Sequence, residues 1–244
     1  MNAVASKSGI RRVGVVCGMI AEGECLRDAV NARPTAERPA VIAVGGRSAD
    51  ARAAAERYVK QGFGGLVSFG VAGGLDPRLK PGDLVIGTKV IGPDGDVYVT
   101  HEPWRNRLLA ACEKAKLPRV FEGACAGRGE PAKSASEKKL ILDSTGALAV
   151  DMESHEVADV ARTAGLPFVV VRAVLDSASH AIPSSALAGL AADGSTRPGA
   201  VLGHAALRPW EMAGLARLAR DQKKALAALR AIAALGFFRL FADI

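Results

Sequence analysis

A chain of 244 residues, 49% of them apolar, can bury a sizeable core and fits one large α/β domain or two small ones. Its formal charge of +7 favours anionic partners, yet only 5% of its residues are aromatic, which argues against a base-stacking nucleic-acid surface. No uncharged apolar run reaches the roughly 20 residues of a membrane span, and "MNAVASKSGIRR" lacks the apolar stretch of a signal peptide.

The segment "RRVGVVCGM" (11–19) reads as a buried strand, and "PAVIAVGG" (39–46) as a second one ending in glycines. "SADARAAAERYVKQGF" (48–63) has helical spacing with Ser48 as a candidate cap. "GGLVSFGVAGGL" (64–75) is a strand running into a glycine turn. "PGDLVIGTKVIGPDGDVYVT" (81–100) holds two strand-like pieces around Pro-Asp-Gly, and 102–117 is helical. "STGALAVDM" (144–152) reads as a strand, 153–165 as a helix ending at Gly165, and "PFVVVRAVLD" (167–176) as another buried strand.

Short apolar strands alternating with amphipathic helices predict an α/β fold, three layers with a central mixed, largely parallel sheet. Neither repeat nor linker divides the chain, so residues 1–244 are expected to form a single domain. A Ser/Pro/Gly-rich stretch near 179–200 reads as a loop or lid. An apolar, basic-flanked helical tail occupies 210–244 and contains "GFFRLF". Cys17, Cys25, Cys112 and Cys125 show no CxxC spacing and read as reduced thiols of a cytoplasmic protein.

In such sheets sites gather at the C-terminal strand ends. Glu22, Gly70–Gly74, Asp151–Glu153 and Asp176 all fall there. "FGVAGGL" is neither a GxGxxG fingerprint nor a phosphate loop; it is a turn that either packs tightly or lets backbone approach a ligand. The acids of "AVDMESHEVAD" admit three readings: helix-start chemistry, a metal site, or carboxylates for a sugar diol. His155 is adjacent but no HExxH spacing exists, so no metal is expected. Arg172 in an apolar strand needs a partner or the sheet end. A structural Arg–carboxylate pair is the plain alternative to a functional role. Ser177 or Ser179 with His180 lacks the context of a nucleophilic serine.

Together these segments resemble the nucleoside phosphorylase superfamily, most of all its 5′-methylthioadenosine/S-adenosylhomocysteine nucleosidase branch, through most of residues 12–180. "VGVVCGMIAEGE" is similar to the family's first strand and the loop with its water-activating glutamate, which falls on Glu22. "SFGVAGGLDPRLKPGDLVIG" resembles the glycine-turn signature, placing Val71 and Gly73 at the substrate. "AVDMESHEVA" looks like the ribose-binding segment, with Met152 and Glu153 at the sugar and Asp151 flanking them. "VVVRAVLD" resembles the strand ending in the general acid, Asp176, with Arg172 beside the nucleophile. Glu156 and Asp159 are then expected on a solvated helix face.

The resemblance implies cleavage of an N-glycosidic bond without a cofactor. Two departures bear on the nucleophile. Val71 stands where the family places a serine, and Ser68 stands where phosphorylases place a phosphate-binding arginine. Both favour water, with phosphorolysis as the alternative and Arg27 and Arg47 as candidate anion ligands. A non-catalytic nucleoside-binding protein is a further alternative. The short segment between 92 and 104 together with the apolar tail resembles the hopanoid-biosynthesis branch, whose proposed substrate is adenosylhopane. A small-molecule or lipid-linked nucleoside, membrane-surface contact through the tail and a homodimer are therefore expected, with no nucleic acid as partner. The stretch matching the family's base contacts is Gly129–Lys133.

Overall fold

Five consecutive apolar or small residues, Val13–Cys17, form β1, and every one is buried. A strand without polar alternation must be covered on both faces, and the neighbours of β1 do this. The structure is a computed structural model that describes residues 12–45, 47–189, 195 and 197–236. Seven further strands follow: β2 (Ala40–Ala43), β3 (Gly65–Gly74), β4 (Leu84–Ile91), β5 (Val97–Val99), β6 (Val120–Gly127), β7 (Ala149–Asp151) and β8 (Phe168–Asp176). The α-helices are α1 (Ile20–Glu24), α2 (Arg27–Asn31), α3 (Ser48–Lys60), α4 (Glu102–Lys114), α5 (Ala135–Thr145), α6 (Ser154–Thr163), α7 (Ser184–Ala188), α8 (Pro198–Ala206) and α9 (Met212–Ala234).

Strands β2, β1 and β3 run parallel, and β3 pairs β8 in parallel over Leu66–Gly73. At its far end, Gly73 and Gly74, β3 pairs antiparallel with β7 instead. Strand β8 continues antiparallel to β4, β4 parallel to β6, and β6 parallel to β7. The strands β3, β8, β4, β6 and β7 thus close on one another. The ends of β3, β7 and β8 meet at this closure. A bulge sharpens the meeting: between Ala72 and Gly73 the register slips by one, so Leu175 is skipped and Asp176 sits opposite Gly73.

Alternating residues feed two cores. Val13, Val15, Val67, Phe69, Val169 and Val171 pack with Leu26, Trp104 and Leu108, and with Leu229 and Ile232 of α9. Val16, Leu66, Phe168 and Val170 face the other way, onto α3 and α6. These are the expected three layers with a mixed, mainly parallel sheet. All four cysteines are free and buried.

The structure departs from the sequence reading in specific places. Ser144 and Thr145 finish α5, and the strand read over 144–152 is only Ala149–Asp151. Gly146, at φ +62°, ends that helix in the left-handed conformation. Glu22 lies on the short helix α1, not on a loop. Strand β6 went unread because "EGACAG" has no β-branched residue; a Cβ at Gly123 would come 2.4 Å from Leu148 Cδ1, so small residues fit there.

The expected lid at 179–200 contains two short helices, α7 and α8; residues 190–194 and 196 lie outside the described residues. Proline at the start of α8 and the alanines of both are helix-compatible despite their loop-like neighbours. The tail's α9 is a core helix, with Ala225, Leu229, Ile232 and Ala233 fully buried. Of "GFFRLF", residues 237–241 lie outside the described residues. Among the described residues no helix is long and apolar enough to cross a membrane.

Leu229 measures how firmly α9 belongs to the core. Leu229→Ala is expected to lower stability by about 2–5 kcal/mol in urea unfolding. A loss under about 1 kcal/mol would mean that the tail is an appendage.

Candidate active site

Strand β8 carries one cation into the core. Arg172 is 1% exposed, and an unpaired charge there would cost several kcal/mol. Its Nε lies 2.9 Å from Asp151 Oδ2, and its Nη2 donates to Ser68 Oγ at 2.5 Å. Nη2 also stands 3.8 Å from Glu153 Oε2. The other oxygen of Asp151 accepts the backbone N–H groups of Glu153 (3.0 Å) and Ser154 (2.7 Å), so it caps the start of α6. Burial alone would raise the Asp151 carboxyl, but the charge of Arg172 beside it, helped by the N–H donor of Ser154, outweighs burial and holds it below the ordinary value. Burial alone would lower Arg172; Asp151, Glu153 and Glu22 raise it instead, so it is permanently charged.

Glu22 reaches the same place from α1. Its carboxylate accepts the N–H of Met19 and the N–H of Val71, both at 2.8 Å. It is 3% exposed, and burial pushes its carboxyl up despite those donors and Arg172. Two glycines make the room. A Cβ on Gly70 would stand 2.8 Å from the Glu22 carboxyl, and one on Gly18 would stand 2.6 Å from Glu153 Oε1. Glu153 begins α6 and is pushed up to about 8, by burial first; Asp151 and Glu22 add to the rise and Arg172 opposes it. Asp151 and Glu153 therefore stand within ion-pair range of one guanidinium, Glu22 feels its charge from farther off, and with a carboxyl pushed up to about 8 Glu153 holds its proton near neutral pH.

Asp176 enters at the other end of the glycine turn, opposite Gly73 and two residues, about 7 Å, beyond Val71 along β3. It is 6% exposed, and burial raises its carboxyl although Lys138 opposes the rise. Lys138 of α5, itself fully buried, contacts Asp176 Oδ2. Val71, Gly73 and Met152 are half-buried around these groups. Two loops cover this end: the N–H of Ile182 donates to the carbonyl of Lys133 at 3.1 Å, joining the segment after Asp176 to the Gly129–Lys133 stretch.

The structure thus brings Glu22, Val71, Asp151, Glu153 and Arg172 together, with Gly73 and Asp176 alongside. Asp151 spends both oxygens on Arg172 and α6, so it orients the site from behind. Other expectations are revised. Glu156 and Asp159 are not a solvated face: Arg52 of α3 clamps both, at 2.5 and 2.6 Å. Arg27 and Arg47 are exposed and paired with Glu24 and Asp50 on their own segments, so neither is a free anion ligand. In the sequence Ser68 reads only as the replacement of a phosphate-binding arginine, not as a partner of Arg172, and Lys138 goes unnoticed. Ser68 had a signal, a lone polar residue inside "GGLVSFG"; Lys138 had none. Among the described residues no group of three or more His, Cys, Asp or Glu side chains could hold a metal ion. Chemically, the site offers a carboxylate fixed by two backbone donors, a protonated carboxyl beside a permanent cation, and a second carboxyl beside an ammonium.

A family model, the phosphorylase superfamily, matches residues 31–196. A 5′-methylthioadenosine/S-adenosylhomocysteine nucleosidase of Marinomonas sp. (strain MWYL1) is 34% identical over 137 residues, 49% of this chain and 59% of that protein. One of Glaesserella parasuis serovar 5 (strain SH0165) is 30% identical over 129 residues, 46% of this chain and 56% of that protein. The alignments thus span under two thirds of these relatives' length. Among solved structures, the Neisseria meningitidis nucleosidase in complex with methylthio-immucillin-A superposes with a TM-score of 0.72 at 19% identity, over 93% of this chain and 98% of that one. Futalosine hydrolase of Helicobacter pylori superposes with a TM-score of 0.67 at 16% identity, over 91% and 97%.

Glu153 sets a pH dependence of stability. An acid whose folded pKa lies above its unfolded one makes the folded state hold the extra proton, so stability falls as pH rises between the two. For Glu153 that window runs from 4.5 to about 8. Glu153→Gln is expected to remove that fall. Wild type should lose melting temperature relative to the variant through this window, at up to about 1.4 kcal/mol per pH unit. Parallel melting curves would discount the raised carboxyl.

Proposed function

The chain belongs to the phosphorylase superfamily, and on that premise we propose that it is a purine nucleosidase that hydrolyses a 5′-substituted adenosine to adenine and the 5′-substituted ribose. The observation that carries the choice of water is the state of Arg172. Asp151 and Ser68 lie against its guanidinium and Glu153 stands 3.8 Å away, while the Glu22 carboxyl, farther off, also feels its charge. A phosphate nucleophile would meet committed donors and a repelling carboxylate. Water meets a base.

In this reading Glu22 takes a proton from water as its oxygen bonds to C1′ of the ribose. The C1′–N9 bond breaks, its electron pair passes to the purine, and Asp176 gives its proton to N7. Glu22 ends protonated and Asp176 ionised. Burial raises both carboxyls above their ordinary values, which makes Glu22 a stronger base and helps Asp176 to keep the proton it must give. The two N–H donors on Glu22 fix its direction before substrate arrives. Glu153 is the ligand of the ribose hydroxyls: protonated, it donates with one oxygen and accepts with the other. Met152, Val71 and Gly73 line the substrate. Arg172 and Asp151 hold the carboxylates in place and neutralise charge. The nucleosidase names of the relatives support this reading.

A lipid-linked 5′ group, adenosylhopane in the case the sequence resemblance implies, has a separate support. Leu202 of α8, Leu207 and Trp210 in the connection that follows it, and Met212 at the start of α9 are exposed. Glu211 fastens this segment to the start of α7 through Ser184 Oγ (2.7 Å) and the Ser185 N–H (2.9 Å). The apolar surface therefore sits on the loop that leaves Asp176, where a large 5′ substituent could be covered.

Free-base release, followed by chromatography with and without phosphate, tests the reaction. Adenine should appear without phosphate, and Asp176→Asn and Glu22→Gln should each lower the rate roughly 100- to 10,000-fold. Strict phosphate dependence would make the protein a phosphorylase. For the lipid reading, kcat/KM should rise as the 5′ thioalkyl group lengthens, and Trp210→Ala should blunt the rise. A best substrate with a methylthio group, indifferent to Trp210, would set the lipid reading aside.

A further inference from the structure

Lys138 is the most deeply buried amine described in the chain. The sequence around it, "SASEKKLIL", has nothing to mark it, and Lys139 beside it is a surface residue paired with Asp143. A lysine without exposure is rare unless its charge is matched. Three acceptors surround the Lys138 Nζ: Asp176 Oδ2, the carbonyl of Ser177 at 2.9 Å and the carbonyl of His180 at 3.1 Å. A neutral amine has two N–H donors and an ammonium has three, so the arrangement fits the cation. All three acceptors belong to the end of β8 and the loop that follows it. Asp176 Oδ1 makes no hydrogen bond among the described residues. It lies on the Gly73 side, where a glycine Cβ would come within 3.6 Å of both Oδ1 and Lys138 Cε.

We propose that Lys138 is the positioning residue for departure of the base: its ammonium fixes Asp176 by Oδ2, aims Oδ1 into the substrate cavity, and holds the carboxylate left behind when Oδ1 has given up its proton. The inference rests on Asp176 as the acid. In the step, the C1′–N9 electron pair goes to the purine and the Oδ1 proton to N7. The new negative charge on Asp176 then lies against a positive charge already in place, with no solvent to reorganise. The same ammonium pins the carbonyls at 177 and 180, so the loop over the base and the acid beneath it are set by one atom. The other groups facing Asp176 are the His180 imidazole, in its own loop, and Asp221 of α9.

The test is the pH dependence of kcat/KM for adenine release. Activity that needs protonated Asp176 falls at high pH. Without the ammonium, Asp176 keeps its proton to higher pH, so in Lys138→Met this alkaline limb should move up by about 1–2 pH units. The maximal rate should drop at least about tenfold, with KM little changed. Lys138→Arg should retain the wild-type limb. The shift should persist in a His180→Gln background, which separates the lysine from the neighbouring imidazole. Should Lys138→Met fail to fold, Lys138→Gln is read in the same way. A uniform loss across pH, with the limb unmoved, would make Lys138 a merely structural residue and overturn the proposal. Asp176→Asn runs beside these variants. If it retains full activity, the acid assignment falls and takes this inference with it; if it is inactive while the Lys138 variants keep the wild-type limb, only the inference falls.

Discussion

A single buried guanidinium organises this molecule. Arg172 sits in the middle of the strand layer at 1% exposure. Removing one partner of such a pair generally costs about 3–5 kcal/mol, because the other charge is left stranded. Its partners come from three elements: Ser68 from β3, Asp151 from the end of β7, and Glu153 from the start of α6. The need to neutralise Arg172 therefore ties strand β8 to the point where the sheet closes. The same need draws carboxyl groups into a water-poor space, where burial raises the proton affinity of Glu22 and Glu153 while Arg172 holds Asp151 low.

The backbone supplies the second constraint. Strand β3 serves two partners, β8 along most of its length and β7 at its glycine end. Gly70 makes room for this, since a Cβ there would stand 2.8 Å from the Glu22 carboxyl, and Gly73 and Gly74 leave only tight contacts, 3.3 Å to Val150 and 3.1 Å to the Asp176 carbonyl. The bulge near Gly73 then turns Asp176 to the glycine end of the turn. Two carboxyls far apart in sequence, Glu22 and Asp176, are thereby held at neighbouring points of one strand. For a reaction that takes a proton at one atom and delivers one at another, a fixed separation on rigid backbone matters more than the identity of any loop.

Charge balance explains why the two ends of the site differ. At the Arg172 end burial, with Asp151 and Glu22 adding to it, outweighs the cation and raises Glu153. At the Asp176 end one acid meets one buried ammonium. Among the surface cations, Arg27 and Arg47 are paired with Glu24 and Asp50 on their own segments. Net charge describes the surface, and the site is governed by groups that water does not reach.

Much of this was legible in the residues. Runs such as "VGVVC" and "FVVVRAVLD" can only be strands covered on both faces, because no other element buries so many branched side chains in so short a length. Glu22, Asp151, Glu153 and Asp176 read as strand-end residues, and the fold gathers them near the sheet's closure, with Glu22 coming from α1. Periodicity and local propensity act over a few residues, so they fix such elements from the sequence by themselves. They could not show that Asp151 turns inward to Arg172, that Arg52 clamps Glu156 and Asp159, that α9 is core, or that Lys138 rather than Lys139 is buried. Those outcomes depend on which elements meet after the sheet closes. A lysine on an amphipathic helix is a surface residue until the fold puts a carboxylate and two carbonyls around its nitrogen. Only the tertiary structure decides that, because the interaction joins residues 38 and 42 positions apart.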